Sequence, residues 1–356
     1  MKLHIAGGVG EHGRNCFFIE GTQASFIVDC GVMVGSEKPY PNLTDSQIHA
    51  ARFLFITHSH LDHTGAFTWL VERGFFGCVV MTRETAGQLP FKPERVCIID
   101  DTAPAMSDAK LTDRLTVQWG RSGHCAGSVW YAIKQDEKTM LFSGDYVEDT
   151  LVYRCNPIIG IHAEMAVLDS AYGDSNITPE DYRNALLNYT ERLVRKGKRI
   201  LFPVPKYGRG FELLLLLHTH FPETKISLDH HFQGELTRIN SLVDWLKSES
   251  LFVLQRILSN RNTNREQSTF VLVSDSQLNS LEGQEIAAYM ISTGQKIILT
   301  GNADIGSFSE KLLLSGSATF LRYAVHTSFP EMKMIEKKNT FAEVIAFHSE
   351  RLHEKS

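Results

Sequence analysis

Short apolar segments separated by glycine-containing turns fill the first half of the chain. Segments of this length and composition are typical of β-strands, and few helical patterns occur among them. Many short strands with few early helices favour a sandwich of two sheets. The predicted strands are KLHIAGG, CFFIEG, ASFIVDCG, ARFLFITH, CVVMT, VCIIDD, LTVQWG, VWYAI and TMLFSGD.

The pattern changes after about residue 175, where TPEDYRNALLNYTERLVRKG has the i, i+3, i+4 spacing of an amphipathic helix. Thr178 is its predicted N-cap and Pro179 lies in its first turn. Apolar strands and helical segments then alternate, as in a doubly wound α/β unit with a parallel sheet. The strands are RILFPV, KISLD, TFVLVSD and KIILTG, the helices include GFELLLLLHTHF and LNSLEGQEIAAYMISTG, and the short strands TFLRYAV and AEVIAF follow, each with a histidine after it.

Composition indicates a compact globular protein. The 356 residues, 43% hydrophobic and 22% charged, suffice for two domains or for one domain with a large insertion. We expect no membrane association and no secretion signal, because the longest apolar run, LLLLL, is far too short for a bilayer and the first residues lack a basic and an apolar region. Six cysteines without a CxxC pair favour reduced thiols and a cytoplasmic location.

Four metal-binding side chains are concentrated in THSHLDHTG, directly after the apolar segment RFLFI. His58, His60, Asp62 and His63 fall within six positions. A single histidine is usually a hydrogen-bonding residue of the core or surface, but imidazoles and a carboxylate at this density are typical ligands of zinc and similar divalent cations. The stretch therefore predicts a metal site at the end of a strand.

Three later segments each deliver a further polar side chain after an apolar strand. They are GRSGHCAGS with His124, LFSGDY with Asp145, and LRYAVHTSF with His326. We expect two adjacent sites, because two cations can together polarise a substrate oxygen, activate a water molecule and stabilise a leaving oxygen. The predicted ligands are His58, His60 and His124 for one ion, Asp62, His63 and His326 for the other, and Asp145 as the bridge, with Asp29 of FIVDCG orienting a ligand imidazole.

The order of these motifs resembles the metallo-β-lactamase fold and, in detail, its β-CASP branch of RNA-processing nucleases, which includes ribonuclease J and the polyadenylation-factor endonuclease. The resemblance covers nearly the whole chain. It implies an αββα sandwich formed by residues 1–175 and 304–356, with a doubly wound α/β cap inserted at residues 176–303. The motifs that carry it are GGVGEHGRNCFFIE, FIVDCG, HSHLDH, GHCAGS, FSGDY, LDSAYGD, FPVPKYGRGFELLLLL, TGNADIGSFSEKLL, YAVHTSF and VIAFHSE.

The resemblance also implies roles for residues outside the metal set. Asp169 stands where the family carries its first cap-associated acid, and His348 stands in the family's final histidine motif, interpreted as a phosphate contact. Arg209 and Ser128 are further candidate substrate contacts. Lys311 stands where the family usually has a histidine that protonates the leaving oxygen, so we expect Lys311 to take that role.

The sequence therefore predicts a dinuclear phosphodiesterase with two Zn²⁺, or Mn²⁺, that cleaves single-stranded RNA with a metal-activated water. The preference for RNA follows from the resemblance, since His326 stands where family members that act on DNA carry an apolar residue. Two alternatives stay open: a hydrolase of a non-nucleic substrate on the same fold, and a catalytically weak RNA-binding subunit of a processing complex. Protein partners or a homodimer are compatible with all three.

Overall fold

The computed structural model describes residues 1–259 and 265–349. Contacts divide the chain into two compact units. The first unit contains Met1–Glu148, Cys155–Asn176 and the described residues from His326 onward, and the second contains Asp149–Arg154 and Ile177–Val325. None of the helices in the described residues is long and apolar enough to cross a membrane.

The first unit contains two six-stranded sheets, as the strand pattern predicts. In the first sheet, β1 to β3 are antiparallel and β3 to β6 are parallel. Its strands in spatial order are β1 (Lys2–Gly7), β2 (Cys16–Glu20), β3 (Ser25–Val28), β4 (Ala51–Phe55), β5 (Cys78–Met81) and β6 (Val96–Ile98).

The second sheet is mixed. Its first three strands run parallel to one another and the rest are antiparallel. The strands in spatial order are β17 (Thr340–Phe347), β11 (His162–Asp169), β10 (Lys138–Phe142), β9 (Val129–Gln135), β8 (Leu115–Arg121) and β7 (Asp108–Thr112).

Buried aromatic side chains join the two sheets face to face. The Phe17 ring of β2 lies 5.9 Å from the Phe142 ring of β10 and 5.6 Å from the Phe347 ring of β17. Phe55 of β4 contacts Tyr131 of β9 at 5.5 Å, and the Tyr131 hydroxyl donates to the Ile56 carbonyl. Rings of this size supply most of the apolar area that such a layer buries.

Helices cover both outer faces, so the first unit is an αββα sandwich. Ile48 and Leu70, on two helices of the first sheet's outer face, pack into one apolar cluster, and Met332 and Ile335 pack on the second sheet. Apolar residues spaced three and four apart place each helix with one face inward. These helices are α1 (Asp45–Ala50), α2 (Leu61–Thr64), α3 (Phe67–Glu72), α4 (Arg83–Gln88), α5 (Ile99–Thr102) and α12 (Phe329–Lys338).

The second unit is the predicted doubly wound α/β unit, with a parallel sheet and helices. Its strands in spatial order are β13 (Ile226–Leu228), β14 (Phe270–Val273), β12 (Ile200–Pro203), β15 (Lys296–Leu299) and β16 (Thr319–Phe320). Its helices are α6 (Pro179–Arg195), α7 (Arg209–His220), α8 (His230–Thr237), α9 (Ser248–Ser259), α10 (Leu281–Ser292) and α11 (Phe308–Leu314), with short 3₁₀ turns at Ile239–Leu242 and Arg265–Gln267.

Helix α6 begins where its sequence predicts. The Thr178 hydroxyl accepts from the Asp181 amide, the Asp181 carboxylate accepts from the Thr178 amide, and Pro179 occupies the first turn. This capping box satisfies amide donors that a helix start otherwise leaves unpaired.

The predicted strand TFLRYAV is much shorter in the structure. Only Thr319–Phe320 forms a strand, and it pairs with β15 of the second unit. Leu312 belongs to the same apolar core as β15. The contacts of these residues therefore keep the chain in the second unit as far as Val325, whereas we predicted a return at residue 304.

Candidate metal centre

Strand ends bring the polar residues of the first unit together. His58 follows β4, Asp145 follows β10, Asp169 ends β11 and His348 follows β17. Neighbouring strands that run in the same direction end at the same edge of a sheet. The two facing sheets thus deliver side chains from distant parts of the sequence to one place.

The first group of donor atoms is the predicted one. His58, His60, His124 and Asp145 each offer a ligand atom, and these atoms all lie within 4.8 Å of one another. The His58 and His124 Nε2 atoms lie 3.4 and 3.5 Å from Asp145 Oδ2. Burial, and then the neighbouring His58, lower the pKa of His60 to about 3, and burial also lowers that of His124. Neutral imidazole is the form that binds a cation.

A second group contains Asp62, His63 and His348. His348 Nε2 lies 3.1 Å from Asp62 Oδ2, and His63 Nε2 lies 3.6 Å from the same oxygen. Burial lowers the pKa of His63 and of His348, but Asp145 and the other nearby carboxylates outweigh it and raise both well above the usual value. We predicted His326 in this group and His348 at a phosphate; the structure brings His348 into it.

Asp145 lies between the two groups. Its Oδ2 faces His58 and His124, whereas its Oδ1 lies 3.1 Å from His63 Nε2 and 3.3 Å from His348 Nδ1. Burial alone would raise the pKa of Asp145, but His63 and His348 hold it well below its usual range. A carboxylate with one oxygen toward each group has the geometry of a bridge.

Asp29 orients His63. Its Oδ2 accepts from His63 Nδ1 at 2.7 Å, and its Oδ1 accepts from the Thr57 amide at 2.8 Å. Because Nδ1 donates to Asp29, Nε2 is the ring nitrogen of His63 that is directed toward Asp145. The predicted orienting contact is therefore present in the structure.

Asp169 and His326 form a third group with Asp145 and His348, and the ligand atoms of this group also lie within 4.8 Å of one another. His326 Nδ1 lies 2.9 Å from Asp169 Oδ2, and Asp169 Oδ2 also accepts from the Tyr146 amide. Burial raises the pKa of Asp169, but the charge of His326 and its hydrogen bond lower it well below the usual value. An ionised carboxylate on Nδ1 fixes the orientation of the ring and leaves Nε2 for chemistry.

The donor set fits divalent cations. Several buried polar atoms have no hydrogen-bond partner among the described residues, although they lie close to one another: His58 Nε2, Asp145 Oδ1 and both ring nitrogens of His348. Buried polar groups are almost always paired, so such a concentration is unusual. Imidazole nitrogens and carboxylate oxygens are the ligands that zinc binds, and manganese also accepts them.

Ser128 is buried and bonded within the loop that carries His124. It is 1% exposed, its hydroxyl donates to the Cys125 carbonyl, and it accepts from the Cys125 amide and the Ser122 hydroxyl. These bonds close the turn that carries His124. Ser128 thus holds this loop, and the substrate contact predicted for it stays a prediction.

Arg209 and Lys311 belong to the second unit. Arg209 is the first residue of α7, as predicted, and its guanidinium lies so close to Gly301 that a Cβ there would collide with it. Lys311 is exposed on α11. Neither residue is part of the donor groups in the first unit.

Sequence reasoning missed two residues of the N-terminal loop. Asn15 is fully buried, and its Nδ2 lies 2.9 Å from His63 Nε2 and 3.4 Å from Asp62 Oδ2. The His12 ring stacks on His348 at 4.3 Å. Both lie within GGVGEHGRN, a motif that carries the family resemblance but in which we predicted no residue of the site. A polar residue directly before a buried strand was the available signal.

Comparisons with known proteins identify the family of the chain. Residues 9–196 match the family described as the metallo-beta-lactamase superfamily. The chain is similar to Probable RNase MJ4 of Methanocaldococcus jannaschii, with 29% identity over 64% of this chain and 59% of that protein. It is also similar to transcription termination factor FttA of Methanothermobacter thermautotrophicus, with 27% identity over 62% of this chain and 40% of that protein.

A third relative matches nearly the whole chain. Cleavage and polyadenylation specificity factor 73 of Drosophila melanogaster is 22% identical over 99% of this chain and 60% of its own length. In all three comparisons the match covers less than two thirds of the relative. The family match takes in more than half of this chain, and the predicted fold class is confirmed: the chain belongs to the metallo-beta-lactamase superfamily, in the β-CASP branch that its motifs resemble.

Proposed function

We propose that the protein is a ribonuclease that hydrolyses phosphodiester bonds with two divalent cations, zinc or manganese. The observation that carries this proposal is the sharing of Asp145 by two groups of buried imidazole and carboxylate donors. Cations bound there would polarise a phosphate oxygen and provide a nucleophilic water at neutral pH. The proposal therefore joins the metal dependence of the superfamily to two groups of donor atoms in this chain, one for each ion.

The residues divide between two positions. His58, His60 and His124 hold the first cation, and Asp62, His63 and His348 hold the second; Asp145 contributes one oxygen to each. This set of ligands differs from the set predicted from the sequence at one residue: His348 replaces His326 at the second cation. The exchange is supported by the 3.1 Å separation of His348 Nε2 from Asp62 Oδ2.

Because His326 is no longer needed as a metal ligand, it is available as the proton donor. Asp169 accepts from His326 Nδ1, so the Nε2 atom can carry a proton to the leaving oxygen. Our sequence prediction gave this role to Lys311. That role remains a prediction, but the Asp169–His326 pair lies in the first unit with the donor groups and has the arrangement that a proton donor requires.

RNA is the substrate class that the relatives favour. They include proteins named Probable RNase, endoribonuclease and cleavage and polyadenylation specificity factor. We propose that Arg209 contacts the phosphate backbone, since guanidinium groups bind phosphate oxygens in pairs. Protein partners are expected for a nuclease of a processing complex, and they remain part of the proposal.

The proposal is tested by comparing three substrates at the same metal concentration. Purified protein is incubated with a labelled single-stranded RNA, a thioester and a β-lactam, each with and without a chelator. We expect cleavage of the RNA alone, and loss of cleavage with the chelator. Turnover of the thioester or lactam without RNA cleavage would support a non-nucleic hydrolase. RNA binding without turnover of any substrate would support the binding subunit.

A further inference from the structure

His348 has an unusual backbone conformation. Its φ is 72°, in the left-handed region that residues other than glycine rarely occupy. The side chain is 2% exposed and lies beside Asp62 and Asp145. Such a conformation costs about 1–3 kcal/mol and persists only where the surroundings hold it. The question is which groups hold His348 at this turn.

The N-terminal loop holds the His348 backbone from both sides. The Gly8 carbonyl accepts from the His348 amide at 2.7 Å. His12 Nδ1 donates to the His348 carbonyl at 3.2 Å, and the two rings stack with their centroids 4.3 Å apart and their planes 8° apart. His12 therefore contacts both the backbone and the ring of His348.

The loop itself does not depend on His12. Glu11 Oε1 accepts from the Gly8 amide at 3.0 Å and from Arg14 Nε at 2.7 Å, and Arg14 Nη2 donates to Glu11 Oε2 at 2.6 Å. The His12 side chain is exposed, so its removal leaves no cavity in the core. A substitution at His12 should change the support of His348 and leave the loop folded.

We propose that His12 is a positioning residue that holds the His348 ring against Asp62 and His63, and so sets the affinity of the second cation position. This inference rests on the proposed two-cation function. Residues that orient a metal ligand usually change the affinity by about 10–100-fold when they are removed. In the described part of the chain, no hydrogen bond or ring contact joins His12 to His58, His60 or His124, which form the first position.

The test uses metal-free protein titrated with Co²⁺, whose visible absorption reports ligand geometry. The variants are His12→Ala, which removes both contacts, and His12→Asn, which keeps a hydrogen-bond donor. His4→Ala is the matched control, because His4 is a partly exposed histidine of the neighbouring strand that contacts Glu20 and Phe18. Thermal unfolding of the metal-free variants is measured alongside.

For His12→Ala we expect one of the two binding steps to weaken by about 10–100-fold while the other step keeps its affinity. The spectrum of the weakened step should change, and His12→Asn should restore part of the affinity. His4→Ala should match the wild type. The inference is overturned if His12→Ala binds both ions like the wild type, or if both steps weaken together with the melting temperature.

The two proposals fail in different ways. If the wild-type protein binds no Co²⁺, or a single ion, the two-cation function is wrong and His12 has no second position to support. If the wild type binds two ions and the His12 variants bind both equally well, only the positioning role is wrong.

Discussion

At the scale of single residues, Asp145 has the largest predicted effect, because its two oxygens face different imidazole groups. Oδ2 faces His58 and His124, and Oδ1 faces His63 and His348. An amide at this position keeps the volume but presents only one oxygen and no charge. Loss of the shared ligand should therefore affect both cation positions at once.

Asp145→Asn should lower RNA cleavage by at least about 100-fold, more than is usual for a residue that only orients a ligand. Steady-state rates and metal content by elemental analysis are measured together. Asp113→Asn is the control, since Asp113 is 97% exposed in the same unit. Full activity and full metal content in Asp145→Asn would show that the carboxylate does not bridge the two positions.

His326 and Lys311 give opposite predictions for the proton donor. Loss of a general acid usually costs about 10²–10⁴-fold in rate. We expect His326→Ala to lose this much in kcat while it still binds two cations, and Lys311→Ala to cleave at the wild-type rate. A large loss in Lys311→Ala with an active His326→Ala would restore the role that the sequence suggests for Lys311. Loss of a cation in His326→Ala would instead restore His326 as a ligand.

Strand ends and spacing indicated that most of the cluster in the first unit would lie together. Six of the predicted ligands follow short strands or lie in THSHLDHTG, where they share one edge. His326 and His348 each follow an apolar segment near the end of the chain, so the pattern could not decide which ring reaches Asp62. The segment before His326, TFLRYAV, is typical of a strand, but only its first two residues, Thr319–Phe320, form one.

At the scale of elements, Glu212 of α7 holds a separate segment of the second unit. It is 3% exposed, and its carboxylate accepts from the amides of Leu151, Val152 and Tyr153 and from the Tyr323 hydroxyl. Burial raises the pKa of Glu212 although these hydrogen bonds lower it. This contact could not be predicted, because a glutamate before LLLLL is expected at a helix surface.

Glu212→Ala should leave three amides without an acceptor, and each buried unsatisfied group costs about 1–3 kcal/mol. Hydrogen exchange at residues 151–153 should therefore accelerate at least about tenfold. Tyr323→Phe, which removes one donor only, should have a smaller effect. Unchanged exchange in Glu212→Ala would show that the segment is held by other contacts.

The same residue predicts a dependence on pH. A carboxyl group whose pKa is raised by folding contributes stability that is present below the unfolded pKa and is lost as the pH rises through the folded pKa. The wild type should therefore gain stability relative to Glu212→Gln as the pH falls from about 7 toward the ordinary glutamate value, about 4.3. Unfolding curves at several pH values measure this, and a constant difference would contradict it.

At the scale of the whole molecule, the chain is acidic, with a net charge of −5, yet its relatives include proteins named for RNA processing. A protein without a global basic surface must bind RNA through local charges, here the proposed cations and arginines. RNA binding should then weaken as salt is added. A plot of the logarithm of the binding constant against the logarithm of the salt concentration should have a slope of about −0.7 for each phosphate neutralised.

Matched single-stranded RNA and DNA of one sequence provide the test of substrate class. We expect faster cleavage of RNA. Binding to the His326→Ala variant, which should keep both cations but cleave slowly, should decrease with salt as described. Equal cleavage of both strands would contradict the RNA assignment and leave the metal centre in place. Binding that is independent of salt would contradict phosphate recognition.

The most direct test of the central claim is a metal titration that is followed by RNA cleavage. Metal-free protein receives Zn²⁺ or Mn²⁺ in steps, and bound metal and the cleavage rate of a single-stranded RNA are measured at each step. The account predicts no cleavage without metal and a rate that reaches its maximum as two ions are bound per chain. Full cleavage by metal-free protein, or a maximum reached with one ion bound, would contradict it.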